Sequence, residues 1–115
     1  DSLRAGLEAL RALPGAHWLV LGDMRELGPG EAEAHRAAGT LAEAAGITRL
    51  FTFGELAKLA CTTFPGPCAS FTDHAALTEH LREVLGPDIV LLVKGSRSNQ
   101  LERVVAPLTC EGERP

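Results

Sequence analysis

The chain has 115 residues, of which 45% are hydrophobic, and it carries a formal net charge of −4 at pH 7. That length supports one globular domain with a substantial core, and the apolar share is typical of globular proteins. An acidic balance without a basic stripe argues against a nucleic-acid surface, and the sequence has neither a signal-peptide pattern nor an apolar run near the ~20 residues of a membrane span.

The first part of the chain predicts two helices around one strand. Leucines recur at helical spacing from the start until Pro14 and Gly15 stop the helix. The run HWLVLG (residues 17–22) is short, apolar and ended by glycine, which indicates a buried strand. A second helix begins near Glu31 and stops at Gly46. The expected inner faces are Leu3, Leu7, Leu10 and Leu13 in the first helix, and Ala34, Ala37, Ala38, Leu41, Ala42 and Ala45 in the second.

The remainder predicts three further strands that alternate with helices. Strands are expected at residues 48–54, at Cys68–Phe71 and at residues 88–95, and a short helix at residues 55–61. Residues 88–95 are apolar on both faces, which is typical of the central strand of a parallel sheet. Two more helices, the first capped by Thr72 or Asp73, have expected inner faces of Leu77, Leu81, Val84 and Leu85, and of Leu101, Val104, Val105 and Leu108, before a frayed tail at residues 110–115.

This alternation of helices and strands with short connections predicts the fold class. It favours an α/β domain with a mostly parallel sheet and helices on both faces, a three-layer Rossmann-like arrangement.

The cysteines do not resemble a disulfide framework. Cys61, Cys68 and Cys110 are an odd number, widely spaced and without a C-x-x-C pair. This usage favours a reducing cytosol and lacks zinc-site spacing, so we expect inert thiols.

Two strands end at a glycine that is followed by charged residues. They are VLGDMRELG (residues 20–28) and VLLVKGSRSN (residues 90–99). Ligands of open parallel sheets bind outside the carboxyl ends of the strands, where glycine permits close approach of the backbone. The second stretch offers Lys94, Ser96 and Arg97 to a carboxylate or phosphate, and the first offers Asp23 and Glu26 to an ammonium group or a metal ion. Together these groups suit a zwitterion.

Structural interpretations of the same residues remain open at this point. Glycine-ended strands are common in α/β domains, Asp23 serves equally well as a turn cap, and Glu26 as a solvated side chain. His35 lies at the shoulder of the alanine face, where packing, solvation or function would each explain it. The residues expected to be structural or solvent-facing are His17, His74 and His80, together with Trp18 in the core.

Complete catalytic motifs are missing from the sequence. There is no G-x-x-x-x-G-K-[ST] loop, no G-x-G-x-x-G after the first strand, no G-x-S-x-G elbow and no metal-ligand cluster. The residues alone therefore predict a ligand-binding α/β domain without its own catalytic set or metal site.

Two separated motifs resemble the C-terminal domain of Mur ligases. LGDMRELG (residues 21–28), followed by His35 and Gly39, is similar to that family's G-D-M-x-E-L-G…H…G signature. LVKGSRSNQLERVV (residues 92–105) resembles the K-G-S-R pattern of the members that add D-alanyl-D-alanine, whereas siblings for other amino acids carry residues such as K-G-H-E. The opening DSLRAGLEAL (residues 1–10) is similar to the helix after a Y-N-A-N-P linker.

The resemblance implies a cytoplasmic step of peptidoglycan synthesis. An ATP-dependent ligase would activate the UDP-N-acetylmuramoyl-tripeptide carboxylate as an acyl phosphate, which the amine of D-alanyl-D-alanine then attacks. Residues 1–115 would be its third domain, which closes on the central domain of the same polypeptide. That central domain would bind ATP and Mg²⁺, and an N-terminal domain the nucleotide sugar. Both are expected outside this chain, which alone would be inactive.

The resemblance also assigns candidate binding residues. Asp23, Met24 and Glu26 would line the dipeptide end of the cleft. Lys94, Ser96 and Arg97 would face the dipeptide carboxylate or the phosphoryl group. Gly22, His35 and Gly95 complete the candidate set, with the role of His35 undefined. The alternatives are a stand-alone α/β module for a small anion and a Mur ligase domain for another amino acid.

Overall fold

The computed structural model describes residues 2–24 and 28–108. The helices are α1 (Ser2–Arg11), α2 (Glu31–Ala44), α3 (His74–Val84) and α4 (Glu102–Val105). The strands are β1 (Ala16–Gly22), β2 (Ile47–Phe53), β3 (Cys68–Phe71) and β4 (Ile89–Lys94). Short 3-10 helices lie at Gly28–Gly30, Ala57–Thr62, Arg97–Asn99 and Ala106–Leu108. The predicted order of helices and strands is confirmed, including the short helix before β3.

The four strands form one parallel sheet in the order β3-β2-β1-β4. Side chains alternate between its two faces and feed two separate core clusters. One cluster joins Leu19 and Leu21 of β1 to α1, α2 and the Ala57–Thr62 helix. The other joins Trp18 and Val20 of β1 to α3 and α4. The three-layer α/β prediction is therefore confirmed, and Trp18 is a core residue as expected.

The prediction that the last strand is central is wrong within the described residues. β4 pairs with β1 on one side only and stands at the edge of the sheet. All six of its residues are half-buried. Helices cover both faces of β4, so its residues before Lys94 are apolar throughout. An apolar sequence indicates that both faces of a strand are covered, and it does not indicate how many strands flank it.

Two expected core positions are exposed, and one cap is confirmed. α1 ends at Arg11, so Leu13 lies beyond the helix and is 48% exposed. Ala37 is exposed because the buried stripe of α2 is centred on His35, Ala38 and Ala42. Asp73 caps α3, where its carboxylate accepts a 2.8 Å hydrogen bond from the Ala76 amide. The predicted tail at residues 110–115 lies outside the described residues.

The expectation of three inert thiols is wrong for two of them. Cys61, in the Ala57–Thr62 helix, and Cys68, at the start of β3, form a disulfide with a Cα–Cα distance of 5.7 Å. The sequence did not reveal this pairing because the two cysteines, seven positions apart, come together only where the fold turns the chain back. Cys110 lies outside the described residues.

None of the described helices combines the length and apolarity that crossing a lipid bilayer would require.

Gly39 is required by close packing in the interior of α2. A Cβ atom there would overlap the Ala60 carbonyl oxygen and the Thr63 hydroxyl, which belong to the segment packed on this helix. Thr63 also donates a hydrogen bond to the Arg36 carbonyl of α2, so this segment is held in place.

We predict that Gly39→Ala lowers the free energy of unfolding by about 1–3 kcal/mol, because overpacking outweighs the helix propensity that alanine adds. The matched control is Gly86→Ala, whose Cβ would meet no atom within 4 Å. It should change stability by less than about 1 kcal/mol. Denaturant unfolding of both variants measures the difference, and equal stabilities would contradict this account of Gly39.

Candidate functional site

The two predicted stretches meet at the carboxyl edge of the sheet. β1 and β4 are neighbours and parallel, and Leu21 pairs with Lys94 at their ends. We call residues 22–24 and 94–99 the rim. Because parallel strands present their ends to the same side, the rim lies where open α/β sheets bind ligands.

One carbonyl oxygen ties the two halves of the rim together. The Asp23 carbonyl accepts hydrogen bonds from the Ser96 amide at 3.1 Å and from the Ser96 hydroxyl at 2.8 Å. The side-chain amide of Asn99 donates to the same carbonyl at 2.7 Å. Asn99 is only 6% exposed, and its amide nitrogen also contacts the carbonyl and hydroxyl of Ser96 at 3.3 and 3.2 Å. Asn99 is thus a structural centre of the rim that the motif reading missed.

Asn99 also accounts for the two glycines that end the strands. A Cβ atom on Gly22 would lie 2.7 Å from the Asn99 amide nitrogen, and one on Gly95 would lie 2.9 Å from it. The glycines were expected to let a ligand approach the backbone. The structure shows a packing requirement for both, because they make room for the buried Asn99 side chain.

The carboxylate of Asp23 points into the fold. Asp23 is 4% exposed, and its Oδ1 accepts a 2.7 Å hydrogen bond from the Ala57 amide at the start of the Ala57–Thr62 helix. Gly54, with φ of +111°, leaves space that a Cβ atom would take from this carboxylate. The side chain of Asp23 therefore acts as a cap, as the structural interpretation of the sequence expected. Its backbone carbonyl oxygen joins the two halves of the rim.

His35 holds the backbone directly after Asp23. It is fully buried, and its Nε2 accepts a 2.8 Å hydrogen bond from the Met24 amide. Its Nδ1 lies 2.6 Å from the Glu31 carbonyl. A carbonyl only accepts, so Nδ1 carries the proton and Nε2 is the acceptor. His35 thereby connects α2 to Met24, whereas Glu26 lies outside the described residues.

The cations of the rim lie on its accessible side. Lys94 is half-buried and Arg97 exposed, and neither makes an ion pair within residues 2–24 and 28–108. Beside Arg97 lies an open groove of about 340 Å³. It is lined by Val93, Gly95, Ser96, Arg97, Leu101, Glu102 and Val105. Glu102 supplies an acidic group that sequence reasoning did not select, because it lies on α4, five residues after Arg97 at the end of the K-G-S-R pattern.

The remaining histidines have structural contacts, as expected. His74 Nε2 lies 2.7 Å from the Asn99 carbonyl, and its ring packs on Phe53 at 4.5 Å. The His80 ring lies 5.4 Å from that of Phe71, and His17 Nε2 lies 2.6 Å from the Leu13 carbonyl. His74 therefore helps to position Asn99 and, through it, the rim.

The rim suits an anion better than a divalent cation. The described residues contain no group of three His, Cys, Asp or Glu side chains placed to hold a metal ion. The Asp23 carboxylate is engaged by the Ala57 amide, so it does not offer the open oxygen ligands that Mg²⁺ prefers. Lys94 and Arg97 instead offer cationic donors that fit carboxylate or phosphate oxygens, whereas the proton of the Ser96 hydroxyl is donated to the Asp23 carbonyl.

Fold and rim together define an α/β domain with two cations at the carboxyl edge of its sheet, and the family follows from its sequence. Residues 1–97 match the family model described as Mur ligase, glutamate ligase domain, and the chain therefore belongs to the Mur ligase family.

Similar proteins narrow the comparison within that family. The UDP-N-acetylmuramoyl-tripeptide--D-alanyl-D-alanine ligase of Escherichia coli (strain K12) is 38% identical over 113 residues, covering 96% of this chain and 25% of that protein. The protein of the same name from Buchnera aphidicola subsp. Acyrthosiphon pisum (strain APS) is 32% identical, over 99% of this chain and 25% of its own length. The chain thus spans about a quarter of these relatives.

Solved structures agree with the fold. MurF from Acinetobacter baumannii superposes with a TM-score of 0.81 at 28% identity, over 93% of this chain and 24% of that one. MurF ligase from Thermotoga maritima, solved in complex with ADP, gives a TM-score of 0.80 over 91% of this chain and 24% of that one. At 24% identity it supports the fold alone.

We predict that Asn99→Ala lowers the free energy of unfolding by about 1–3 kcal/mol, because a buried amide that serves three acceptor atoms is lost. Hydrogen exchange at the Ser96 amide should accelerate with it. Thr40→Ala, an exposed change on α2, should stay within about 0.5 kcal/mol. Denaturant unfolding and amide exchange measure both, and equal behaviour of the two variants would refute the role given to Asn99.

We predict that His35→Leu destabilises the protein more than His35→Gln does. Leucine leaves the Met24 amide without an acceptor in a buried site, at a cost of about 1–3 kcal/mol. The glutamine oxygen can replace Nε2 as that acceptor. Thermal unfolding of the two variants provides the comparison, and an advantage for leucine would show that packing alone sets the requirement for His35.

Proposed function

We propose that this chain is the acceptor-binding domain of an ATP-dependent ligase that adds D-alanyl-D-alanine to UDP-N-acetylmuramoyl-tripeptide. One observation carries the proposal. The K-G-S-R loop and the end of β1 are hydrogen-bonded into one rim at the ligand-binding edge of the sheet, in a chain 38% identical to a ligase of that name. The enzyme would act in cytoplasmic peptidoglycan synthesis.

The proposed reaction makes one amide bond. ATP supplies the phosphoryl group that turns the tripeptide carboxylate into an acyl phosphate. The dipeptide amine then attacks the carbonyl carbon, a C–N bond forms through a tetrahedral intermediate, and the C–O bond to phosphate breaks. The products are the UDP-muramoyl pentapeptide, ADP and phosphate, and one proton leaves the nitrogen.

The rim would contribute to this reaction by orienting the acceptor. Lys94 and Arg97 would bind the carboxylate of the dipeptide or oxygens of the transferring phosphoryl group. Ser96 would hold the loop, since its hydroxyl donates to the Asp23 carbonyl. A fixed acceptor raises the rate by lowering the entropic cost of bringing the reacting groups together, a contribution of up to about 7–11 kcal/mol.

Closure on a central domain of the same polypeptide would complete the ATP site. The rim lacks a metal-ligand group within the described residues, so Mg²⁺ and most contacts to ATP would belong to that domain. Closed lids exclude water from such reactions. Exclusion of water would protect the acyl phosphate from hydrolysis until the dipeptide amine attacks.

We predict that Lys94→Ala and Arg97→Ala in the full-length enzyme each reduce D-alanyl-D-alanine-dependent ADP release by about tenfold or more, because each removes a charge-assisted hydrogen bond worth about 1.5–3 kcal/mol. A binding role raises KM for the dipeptide, whereas a role at the phosphoryl group lowers kcat. Steady-state kinetics with the dipeptide varied distinguish the two.

The control for this experiment is Arg11→Ala. Arg11 is an exposed cation at the end of α1, paired with Glu8 at 3.7 Å, and its loss should leave the kinetics unchanged. Unchanged kinetics in both rim variants would contradict the site. Full activity with a different amino acid in place of the dipeptide would favour a Mur ligase with another acceptor.

A further inference from the structure

The disulfide-bonded pair Cys61–Cys68 joins the Ala57–Thr62 helix to the start of β3, and we call this place the corner. The proposed ligase reaction does not use it. Cys61 belongs to the Ala57–Thr62 helix, and Cys68 is the first residue of β3. Both residues are half-buried. The Ser70 hydroxyl lies 3.6 Å from Cys61 Sγ. It already accepts a hydrogen bond from Thr52, and its own proton is therefore available to the sulfur.

Core packing and strand pairing also hold the fold around this corner. Ala60 and Phe64 are buried in the core on either side of Cys61. β3 pairs with β2 through four residues, beginning with Leu50 and Cys68. A disulfide that closes so short a loop removes less entropy from the unfolded chain than one that closes a long loop. Disulfide staples are typical of domains that lack a sufficient core, and this domain has two core clusters.

The corner is connected to the rim through Asp23. The helix that carries Cys61 begins at Ala57, whose amide donates to the Asp23 carboxylate at 2.7 Å. The carbonyl of the same residue accepts the hydrogen bonds of Ser96 and Asn99. A constraint on the helix therefore acts on the residue that joins the two halves of the rim.

We propose that Cys61 and Cys68 form a reversible thiol–disulfide site whose oxidised state holds the Ala57–Thr62 helix against Asp23. The oxidant is a small-molecule disulfide. The thiolate of one cysteine attacks it, forms a mixed disulfide and releases one small thiol. The second cysteine then attacks the protein sulfur of that mixed disulfide and releases the second thiol. The two cysteines lose two hydrogens and two electrons, and the small disulfide gains them.

Differential alkylation of the full-length protein in glutathione buffers of varied ratio tests this site. Without denaturant, Cys61 and Cys68 should change together from two alkylated thiols to one disulfide, and return when reduced glutathione is added. In Cys61→Ser, Cys68 should accumulate the mixed disulfide instead. Mass spectrometry of the peptides reads each cysteine separately, which makes Cys110 an internal reference.

Hydrogen exchange tests the connection to Asp23. The Ala57 amide should exchange at least about tenfold more slowly in the oxidised protein, because the ring closure restricts local opening. The Cys61→Ser/Cys68→Ser double variant should show no dependence on the buffer. A pair that stays oxidised until the protein is denatured, or stays reduced in every buffer, would overturn the proposal. Equal Ala57 exchange in both states would overturn the connection to Asp23.

Discussion

The hydrogen bonds to the Asp23 carbonyl are the interaction on which the rest of this structure depends. They join a strand end at residue 23 to a loop more than seventy positions later, and a buried amide at Asn99 completes them. The glycines on both sides of the rim follow from that amide, since neither position has space for a Cβ atom. The side-chain carboxylate of the same residue accepts a hydrogen bond from the Ala57 amide at the start of the Ala57–Thr62 helix. Asp23 thus connects the end of β1 to the loop after β4 and to the Ala57–Thr62 helix.

The two motifs together contain supporting residues and residues that a ligand could reach. Asp23, Asn99 and His35 are buried and hydrogen-bonded, and they determine where the backbone lies. Lys94 and Arg97 remain on the accessible side. A ligand-binding edge needs both groups, because a cation on an ordered backbone loses less conformational entropy when it binds than one on a mobile loop does. The motif resemblance selected Asp23, His35, Lys94 and Arg97 together without telling the two groups apart, and it did not select Asn99.

The sequence predicted most of the fold because the fold depends on periodicity and chain order. Helical spacing placed the inner faces, and glycines marked the strand ends. The edge position of β4 was missed because the apolar sequence of a strand shows only that helices cover its two faces. It does not show how many strands lie beside it in the sheet. Asn99 and the Cys61–Cys68 bond were missed because both depend on contacts formed only in the folded chain. The direction of the Asp23 side chain likewise depends on tertiary contacts.

The central claim is that the rim assembled at the Asp23 carbonyl presents its cations to the acceptor. A crystal structure of the full-length protein with D-alanyl-D-alanine and a non-hydrolysable ATP analogue tests it most directly. The account predicts an anionic oxygen, from the dipeptide carboxylate or a phosphate, within hydrogen-bond distance of Lys94 or Arg97. It also predicts an unchanged bond from Asn99 to Asp23. A dipeptide and nucleotide bound elsewhere, with both cations in solvent, would contradict it.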